Sequence, residues 1–357
     1  MFHQVWGFTE PFALALASLD DCSLSPARVL SARRGHYRLV TERGVLTGVL
    51  AGRLRHACGP GALPLVGDWL AVRLIAGEAR ATIVACLPRR TLLVRRRPDG
   101  VPLPQGIAAN LDVVFVVTSL NRDFSPRRIE RMLALVRESG AAPVVLLTKA
   151  DLCDARADYL AEAEGVARGV PIHALSAITG DGLAALAPYL VEGRTVGLIG
   201  SSGVGKSTLV NVLLGDAAHT ATGAIREADD RGRHTTTARE LFALPRGGLL
   251  LDTPGMREVG LWDADEGLAE TFDDVEAWLA RCRFGDCAHR GEPGCALAEA
   301  LRTGALSPAR YASYEKLQRE LAHEAQRVDA SAAHVRRREE RRVHRMHTRV
   351  QRASPKR

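Results

Sequence analysis

Lysine is almost missing from this chain. Its 357 residues hold four, at positions 149, 206, 316 and 356, against 44 arginines. Where a generic positive charge suffices the sequence uses Arg, so a Lys hints at a chemical demand of its own. Lys149 and Lys206 both fall inside motifs described below. Also missing is any apolar run near the ~18–20 residues that a membrane span needs. The opening MFHQVWGFTEPFALALASLDD has no basic leader, and its short apolar stretch contains Pro11. We therefore expect no signal peptide, no membrane partner and a cytoplasmic location. No internal repeat occurs. A disulfide framework is not expected either. The seven Cys are an odd number, and Cys22, Cys58, Cys86 and Cys153 are scattered. The other three fall within residues 282–295.

What is present is an ordinary globular balance, 46% hydrophobic and 25% charged, which excludes a wholly disordered or collagen-like chain. The length suggests two or three domains at ~100–200 residues each. The net charge of +7 is unevenly placed. Residues 331–357 carry nine Arg, one Lys and two Glu, a net +8, so the preceding 330 residues sum to −1. The basicity is a tail.

The pattern changes four times along the chain. Residues 1–25 contain one apolar stretch, expected to be a helical segment. Residues 26–97 read as short alternating strands (ARVLSAR, HYRLVT, GVLTGVLA, DWLAVRLI, ATIVACL) broken by Gly, Pro and Asp turns. That predicts a small antiparallel barrel of the oligonucleotide-binding (OB) type. Arg28, Arg33, Arg34, Arg38, Arg89, Arg90, Arg95, Arg96 and Arg97 decorate it, either as a solvated face or as phosphate contacts. Residues 98–108, rich in Pro and Gly, read as a linker. From 105 to 265 strands and helices alternate, which predicts a parallel α/β sheet with crossover helices. There SPRRIERMLALVRES reads as a helix with Ser125 as N-cap and Pro126 in first position, and GLAALAPYLV reads as another helix. Residues 266–330 look mostly helical around a Cys/His cluster, and 331–357 is the basic tail.

Gly200 to Ser207, in GLIGSSGVGKSTLVNVLLG, fits G-x-x-x-x-G-K-[ST] between an apolar run and a helical pattern. The backbone N–H groups of Gly200, Ser201, Ser202, Gly203, Val204 and Gly205, continuing through Thr208, would cradle phosphates at a positive helix start. Lys206 would neutralise phosphate oxygens, and Ser207 would bind Mg²⁺. Asp252, in LLLDTPG, ends a buried strand and can hold Mg²⁺ through water, while the Gly255 N–H can meet a γ-phosphate. Between them, RGRHTTTAR offers Thr236 or Thr237 to complete the Mg²⁺ shell.

Thr148-Lys149-Ala150-Asp151 ends another apolar run and resembles [NT]-K-x-D. There the Asp accepts hydrogen bonds from the guanine N1–H and 2-amino group, and the Lys stem packs on the purine. Adenine lacks both donors, so this motif disfavours an ATPase. Ser176-Ala177, 25 residues or more downstream of it, resembles the loop that meets guanine O6. In an ordinary GTPase the phosphate loop comes first. Here the base motifs precede it, so the same set is present in rotated order, as a circular permutation of one sheet would give.

Cys282-x4-Cys287-x-His289-x5-Cys295 supplies three thiolates and one imidazole, a complete tetrahedral Zn²⁺ set without an open position. We expect a structural ion.

The permuted motifs, with IAANLD and LNRDFSPRRIER at 107–131, GSSGVGKST, GRHTTT, DTPGMRE and CRFGDCAHRGEPGCAL, resemble the RsgA family (also called YjeQ or EngC) over roughly residues 28–328. The resemblance implies an all-β OB barrel, a circularly permuted P-loop α/β GTPase domain and a mostly α zinc-binding domain. It implies a GTPase, converting GTP to GDP and phosphate, stimulated by the small ribosomal subunit and acting in late maturation of that subunit through its rRNA. We expect a monomer. The alternative is a nucleotide-regulated RNA-binding zinc protein without significant turnover. Two departures stand out, Thr148 for Asn and Met256 after DTPG. Met cannot orient an attacking water as a Gln does. Slow intrinsic hydrolysis is therefore expected, with a group supplied by a loop, such as His234, or by the ribosome.

The tail is either a sequence-independent rRNA tether or a solvated extension. As a tether, deleting residues 332–357 is expected to flatten the salt dependence of small-subunit binding while GTP specificity stays intact. An unchanged slope of log affinity against log salt would remove the tail from binding.

Overall fold

The computed structural model describes residues 2–33, 35–57, 63–96, 104–215, 239–252 and 264–327. The basic tail and the segments around His234 and Gly255 lie outside these. Two short helices, α1 (Phe2–Trp6) and α2 (Glu10–Ala17), open the chain. Phe2, Phe8 and Phe12 surround the fully buried Trp69, so the opening segment packs on the barrel rather than trailing from it.

The barrel strands are β1 (Leu24–Arg33), β2 (His36–Thr41), β3 (Gly44–Leu50), β4 (Trp69–Leu74) and β5 (Arg80–Cys86), with α3 (Gly52–Ala57) between β3 and β4. They close in the order β1-β2-β3-β5-β4-β1, with only the β3–β5 pair parallel. Alternation along each strand sends Ala27, Val29, Tyr37, Leu39, Leu70, Val72 and Ile83 inward. Gly48 leaves room at the centre. A Cβ there would sit 2.5 Å from a Leu39 methyl. All five expected strands are found.

The expected linker is different. Pro104–Ala109 forms β7 and pairs with β6 (Leu92–Arg96), and Ile107, Ala108 and Ala109 are fully buried. Pro104 starts that strand, where its missing N–H does no harm, and the apolar run that follows is core.

The α/β sheet is built from β8 (Val113–Ser119), β9 (Ala142–Thr148), β10 (Ile172–Ala174), β11 (Thr195–Gly200), β12 (Glu240–Ala243) and β13 (Leu249–Asp252). The order is β10-β9-β8-β11-β13-β12, parallel except for β12. Every residue of β8 and β11 is buried, as a central strand covered on both faces requires. Helices α4 (Pro126–Glu138), α5 (Arg156–Val166) and α6 (Lys206–Leu214) accompany it. Pro126 opens α4 as expected, but the Ser125 hydroxyl makes no capping bond. Residues Leu183–Tyr189 form a 3₁₀ helix rather than an α-helix. Pro188 has no N–H to continue an α-helical ladder.

The C-terminal part holds α7 (Asp265–Thr271), α8 (Asp273–Leu279), α9 (Ala296–Thr303) and a last helix, α10, over 308–327. It docks on α4. Gly267 allows the approach, because a Cβ there would lie 2.1 Å from Ala134 O.

Some of the barrel arginines turn out to be internal staples, while Arg33 and Arg38 keep exposed surface. Arg28 is 1% exposed, so it is not available to an outside phosphate. Its guanidinium donates to Gly67 O at 3.3 Å, Asn110 O at 3.3 Å, Thr195 Oγ1 at 2.8 Å and Trp6 O. Burial pushes its pKa down to about 10, still protonated at neutral pH. Arg89 grips the buried Asp68 through two bonds of 2.8 Å. Arg90 pairs with Asp112 at 2.8 Å, and Arg38 pairs with Glu240 of β12, opposite Ser31 of β1. Arg34 and Arg97 lie outside the described residues.

Removing the Arg28 fork leaves several carbonyls unpaired at once, and each such group costs about 1–3 kcal/mol. Arg28→Ala is therefore expected to lower the unfolding free energy by about 3 kcal/mol or more. Arg28→Lys, a point charge without the fork, should recover only part of it. Urea titration of both variants checks this, and a loss below about 1 kcal/mol for Arg28→Ala would refute it.

Candidate functional site

The expected motifs that fall on described residues, the phosphate loop, Asp252 and the segments at 148–151 and 176–177, lie at the C-terminal ends of the parallel strands, where ligands sit in open α/β sheets. The loop after β11 runs from Gly200 to Gly205, and Lys206 begins α6. Gly200, at φ +152°, passes so close to β8 that a Cβ would lie 2.2 Å from Val117 O. Gly203 and Gly205 also take positive φ. Buried Leu209 and Val210 anchor α6 to the core, while Ser207 and Thr208 stay exposed. No side chain caps the start of this helix, so its first N–H groups suit an anion. Lys206 Nζ donates to Gly200 O at 2.8 Å and to Ser201 O at 2.5 Å. Asp252 ends β13, the strand beside β11.

On the other side, β9 ends at Thr148 and Lys149 takes a left-handed conformation at φ +59°. Ala150 and Asp151 then turn back in a short 3₁₀ helix, with Asp151 exposed. No ion pair engages the Asp151 carboxylate among the described residues, which leaves it available to a guanine edge. Ser176 is fully buried, and its hydroxyl accepts N–H bonds from Ile178 at 3.2 Å and Thr179 at 3.1 Å. That fixes the backbone at Ala177. The strand register places this turn next to the end of β9.

Thr148, the departure from Asn, has a visible task. Its buried hydroxyl lies within hydrogen-bonding distance of Thr118 O, at 3.0 Å, and of Val204 O in the phosphate loop. Its single proton serves one at a time. One side chain thus ties the base motif to the phosphate loop. His234, Thr236, Thr237, Gly255 and Met256 lie outside the described residues.

The sequence reading assigned no role to Arg128 in α4. Its Nη1 donates to Ser201 Oγ at 3.0 Å. A signal was available. The first turn of α4 holds Arg127 and Arg128 and no acid, the reverse of what a helix N-terminus favours.

The Cys/His cluster assembles. The ligand atoms of Cys282, Cys287, His289 and Cys295 lie within 4.8 Å of one another. Nδ1 of His289 is 3.5 Å from Cys282 Sγ and 3.7 Å from Cys295 Sγ. Tetrahedral bonds of about 2.3 Å demand ligand separations of roughly 3.8 Å, so the donor set fits zinc. Cys295 begins α9, and its sulfur accepts the Ala298 N–H at 3.4 Å. Glu292 shapes the loop by accepting N–H bonds from Ala288 at 3.1 Å and Arg290 at 2.7 Å. The Leu297 N–H holds the Cys282 thiol below its usual range. The His289 N–H also favours the Cys287 thiolate, but desolvation and the neighbouring Cys295 and Cys282 push it up to about 11. Three thiolates crowd together comfortably only around a cation.

The model of the family described as RsgA GTPase matches residues 86–262. The small ribosomal subunit biogenesis GTPase RsgA of Opitutus terrae is 49% identical over 341 residues, 93% of each chain. Its namesake in Syntrophotalea carbinolica is 45% identical over 324 residues, 88% of each. Among solved structures, YjeQ from Thermotoga maritima aligns with TM-score 0.63 and 28% identity, covering 84% of this chain and 99% of that one. YloQ, described as a circularly permuted GTPase, aligns at 0.61 and 25%, covering 84% and 96%.

Because the Thr148 hydroxyl meets the phosphate-loop backbone, Thr148→Val is expected to weaken nucleotide binding by about tenfold without changing the preference for guanine over adenine. Fluorescence titration with GDP and ADP separates the two effects. A lost base preference would place Thr148 on the base instead.

Proposed function

This chain belongs to the RsgA GTPase family, and we propose that it hydrolyses GTP during late maturation of the small ribosomal subunit, stimulated by that subunit through its rRNA. The observation that carries this is the convergence of the two base motifs, the phosphate loop and Asp252 on one edge of a permuted parallel sheet. The set selects guanine and addresses a polyphosphate, so the enzyme is a GTP hydrolase.

Each residue's role follows its chemistry. Asp151 and Lys149 read and cover the base, with Ala177 beside guanine O6. The loop from Gly200 to Thr208 cradles the phosphates, and Lys206 neutralises them. Ser207, with Thr236 or Thr237, would hold Mg²⁺, and Asp252 would reach it through water. When bound, that ion offsets charge on the β- and γ-phosphates. Gly255 meets the γ-phosphate. Since Met256 cannot orient water, the attacking group is set by His234 or by the ribosome. Cys282, Cys287, His289 and Cys295 hold one structural zinc.

The closed barrel, with its order β1-β2-β3-β5-β4, supports an OB assignment. Arg28 and Arg89 of the barrel are engaged internally, and we place rRNA contact on the barrel's exposed arginines as well as on the metal loop. There Phe284 is 49% exposed, with the Arg283 guanidinium 5.4 Å from its ring, and Arg281 lies 4.8 Å from Trp278. Aromatic faces beside arginines suit unpaired bases. No described helix is long and apolar enough to cross a membrane. We read the protein as a cytoplasmic monomer.

GTP turnover should be slow alone, rise by at least about tenfold with purified small subunits and stay low with large subunits. Equal rates under all three conditions would refute the stimulated mechanism. Tight nucleotide-dependent RNA binding with no turnover would favour the regulated binding protein.

A further inference from the structure

Arg128 breaks a local rule. It stands with Arg127 in the first turn of α4, where no acid accompanies them, although cations at a helix N-terminus are disfavoured. It is exposed, and no carboxylate pairs with it among the described residues. Further along the same helix Arg131 does have such a partner, Glu320. A sequence that violates a local preference without local compensation does so most often at a functional position.

Its one hydrogen bond among the described residues is informative. Arg128 Nη1 sits on the hydroxyl of Ser201, at 3.0 Å. Lys206 Nζ sits on the carbonyl of the same residue, at 2.5 Å. Two cations thus converge on the second residue of the phosphate loop from opposite elements. The lysine of this loop type reaches the β- and γ-phosphates, so Ser201 marks the terminal end of the polyphosphate. A guanidinium has five donors in a planar fork matched to phosphate oxygens, and Ser201 takes one of them.

We propose that Arg128 is a catalytic arginine supplied in cis, contacting the terminal phosphoryl group of GTP. This rests on the GTPase reading above. During hydrolysis a water oxygen bonds to the γ-phosphorus while the bond from that phosphorus to the β–γ bridging oxygen breaks. GDP leaves with the bridging oxygen and its electron pair, one water proton stays on the transferred oxygen and the other passes to a second oxygen of the inorganic phosphate. Arg128 stays protonated throughout and stabilises charge on the equatorial oxygens, as an arginine finger does. In a chain whose Met256 cannot help, that charge matters more. GDP lacks the group Arg128 addresses, so the contact distinguishes the two nucleotides.

The test uses full-length Arg128→Ala and Arg128→Lys, with fluorescence titration against GDP and a slowly hydrolysed GTP analogue, and single-turnover hydrolysis with small subunits. Arg128→Ala is expected to weaken the analogue about tenfold and GDP less than about twofold, and to slow the single turnover by at least about tenfold. Arg128→Lys should recover part of the analogue affinity. The exposed position predicts an unchanged thermal midpoint. Equal losses for both nucleotides would reduce Arg128 to a support of Ser201 and overturn the proposal, as would no loss of either affinity or rate. Wild-type protein without turnover would instead strike the GTPase reading itself, and the triphosphate preference would still report on Arg128.

Discussion

The arrangement depends on one buried cation. Arg28 leaves the barrel strand β1 and ends among oxygens from four places: Trp6 in the opening helix, Gly67 before β4, Asn110 after β7 and Thr195 at the start of β11. A buried charge must be satisfied or it is expelled, so these four segments can hold only positions that keep the fork filled. Asp112 completes the joint from the other side, accepting the Thr195 N–H at 2.7 Å and pairing with Arg90. Thr195 begins the strand that ends in the phosphate loop. The barrel and the nucleotide edge are therefore joined by one rigid strand with a charged clamp at its far end. A lysine could not do this, because a point charge cannot address divergent acceptors with fixed geometry.

A second clamp holds the opposite side. Arg310 of the last helix pairs with Glu130 of α4 at 2.6 Å and with Asp274 at 3.0 Å, and lies 4.1 Å from the Phe272 ring. The Ser313 hydroxyl closes the network on Glu130. Buried ion pairs return little net stability, since desolvation offsets their attraction. Their use is in geometry, because only one docking of the C-terminal helices satisfies every member. Here α4 becomes the shared wall, with the C-terminal helices on its buried face and Arg128 of its first turn against the phosphate loop. The permutation adds a covalent route, because the chain beyond β13 runs directly on into those helices.

The motifs were legible because each is local. A phosphate loop is eight residues of backbone instruction, and the metal ligands span only fourteen positions. The barrel strands were legible from alternation. What stayed hidden was pairing across long separations. Nothing near Arg28 announces Thr195, 167 residues away, and the arginines looked like surface because Arg is usually surface. β7 was hidden because Pro and Gly dominate its approach, while its three buried residues are too few to show a period. Thr148 read as a weak match because motif comparison counts identities. The hydroxyl does the same kind of work an amide would do, from a shorter side chain.

Arginine and lysine divide their labour accordingly. Where the fold must join several oxygens at fixed angles, at 28, 89 and 310, the chain uses Arg. Two of the four lysines, Lys149 and Lys206, stand in the nucleotide motifs, and under the proposed function they supply a flexible stem for a flat base and a movable point charge for phosphate. With acids balancing bases over residues 1–330, that part of the chain carries almost no net charge. The exposed arginines beside Trp278 and Phe284 and the +8 segment at 331–357 are local concentrations of positive charge on that near-neutral background. Arg128 is set apart by its place. With no carboxylate partner among the described residues, it sits on the Ser201 hydroxyl at the edge of the phosphate loop, a charge held for something that arrives.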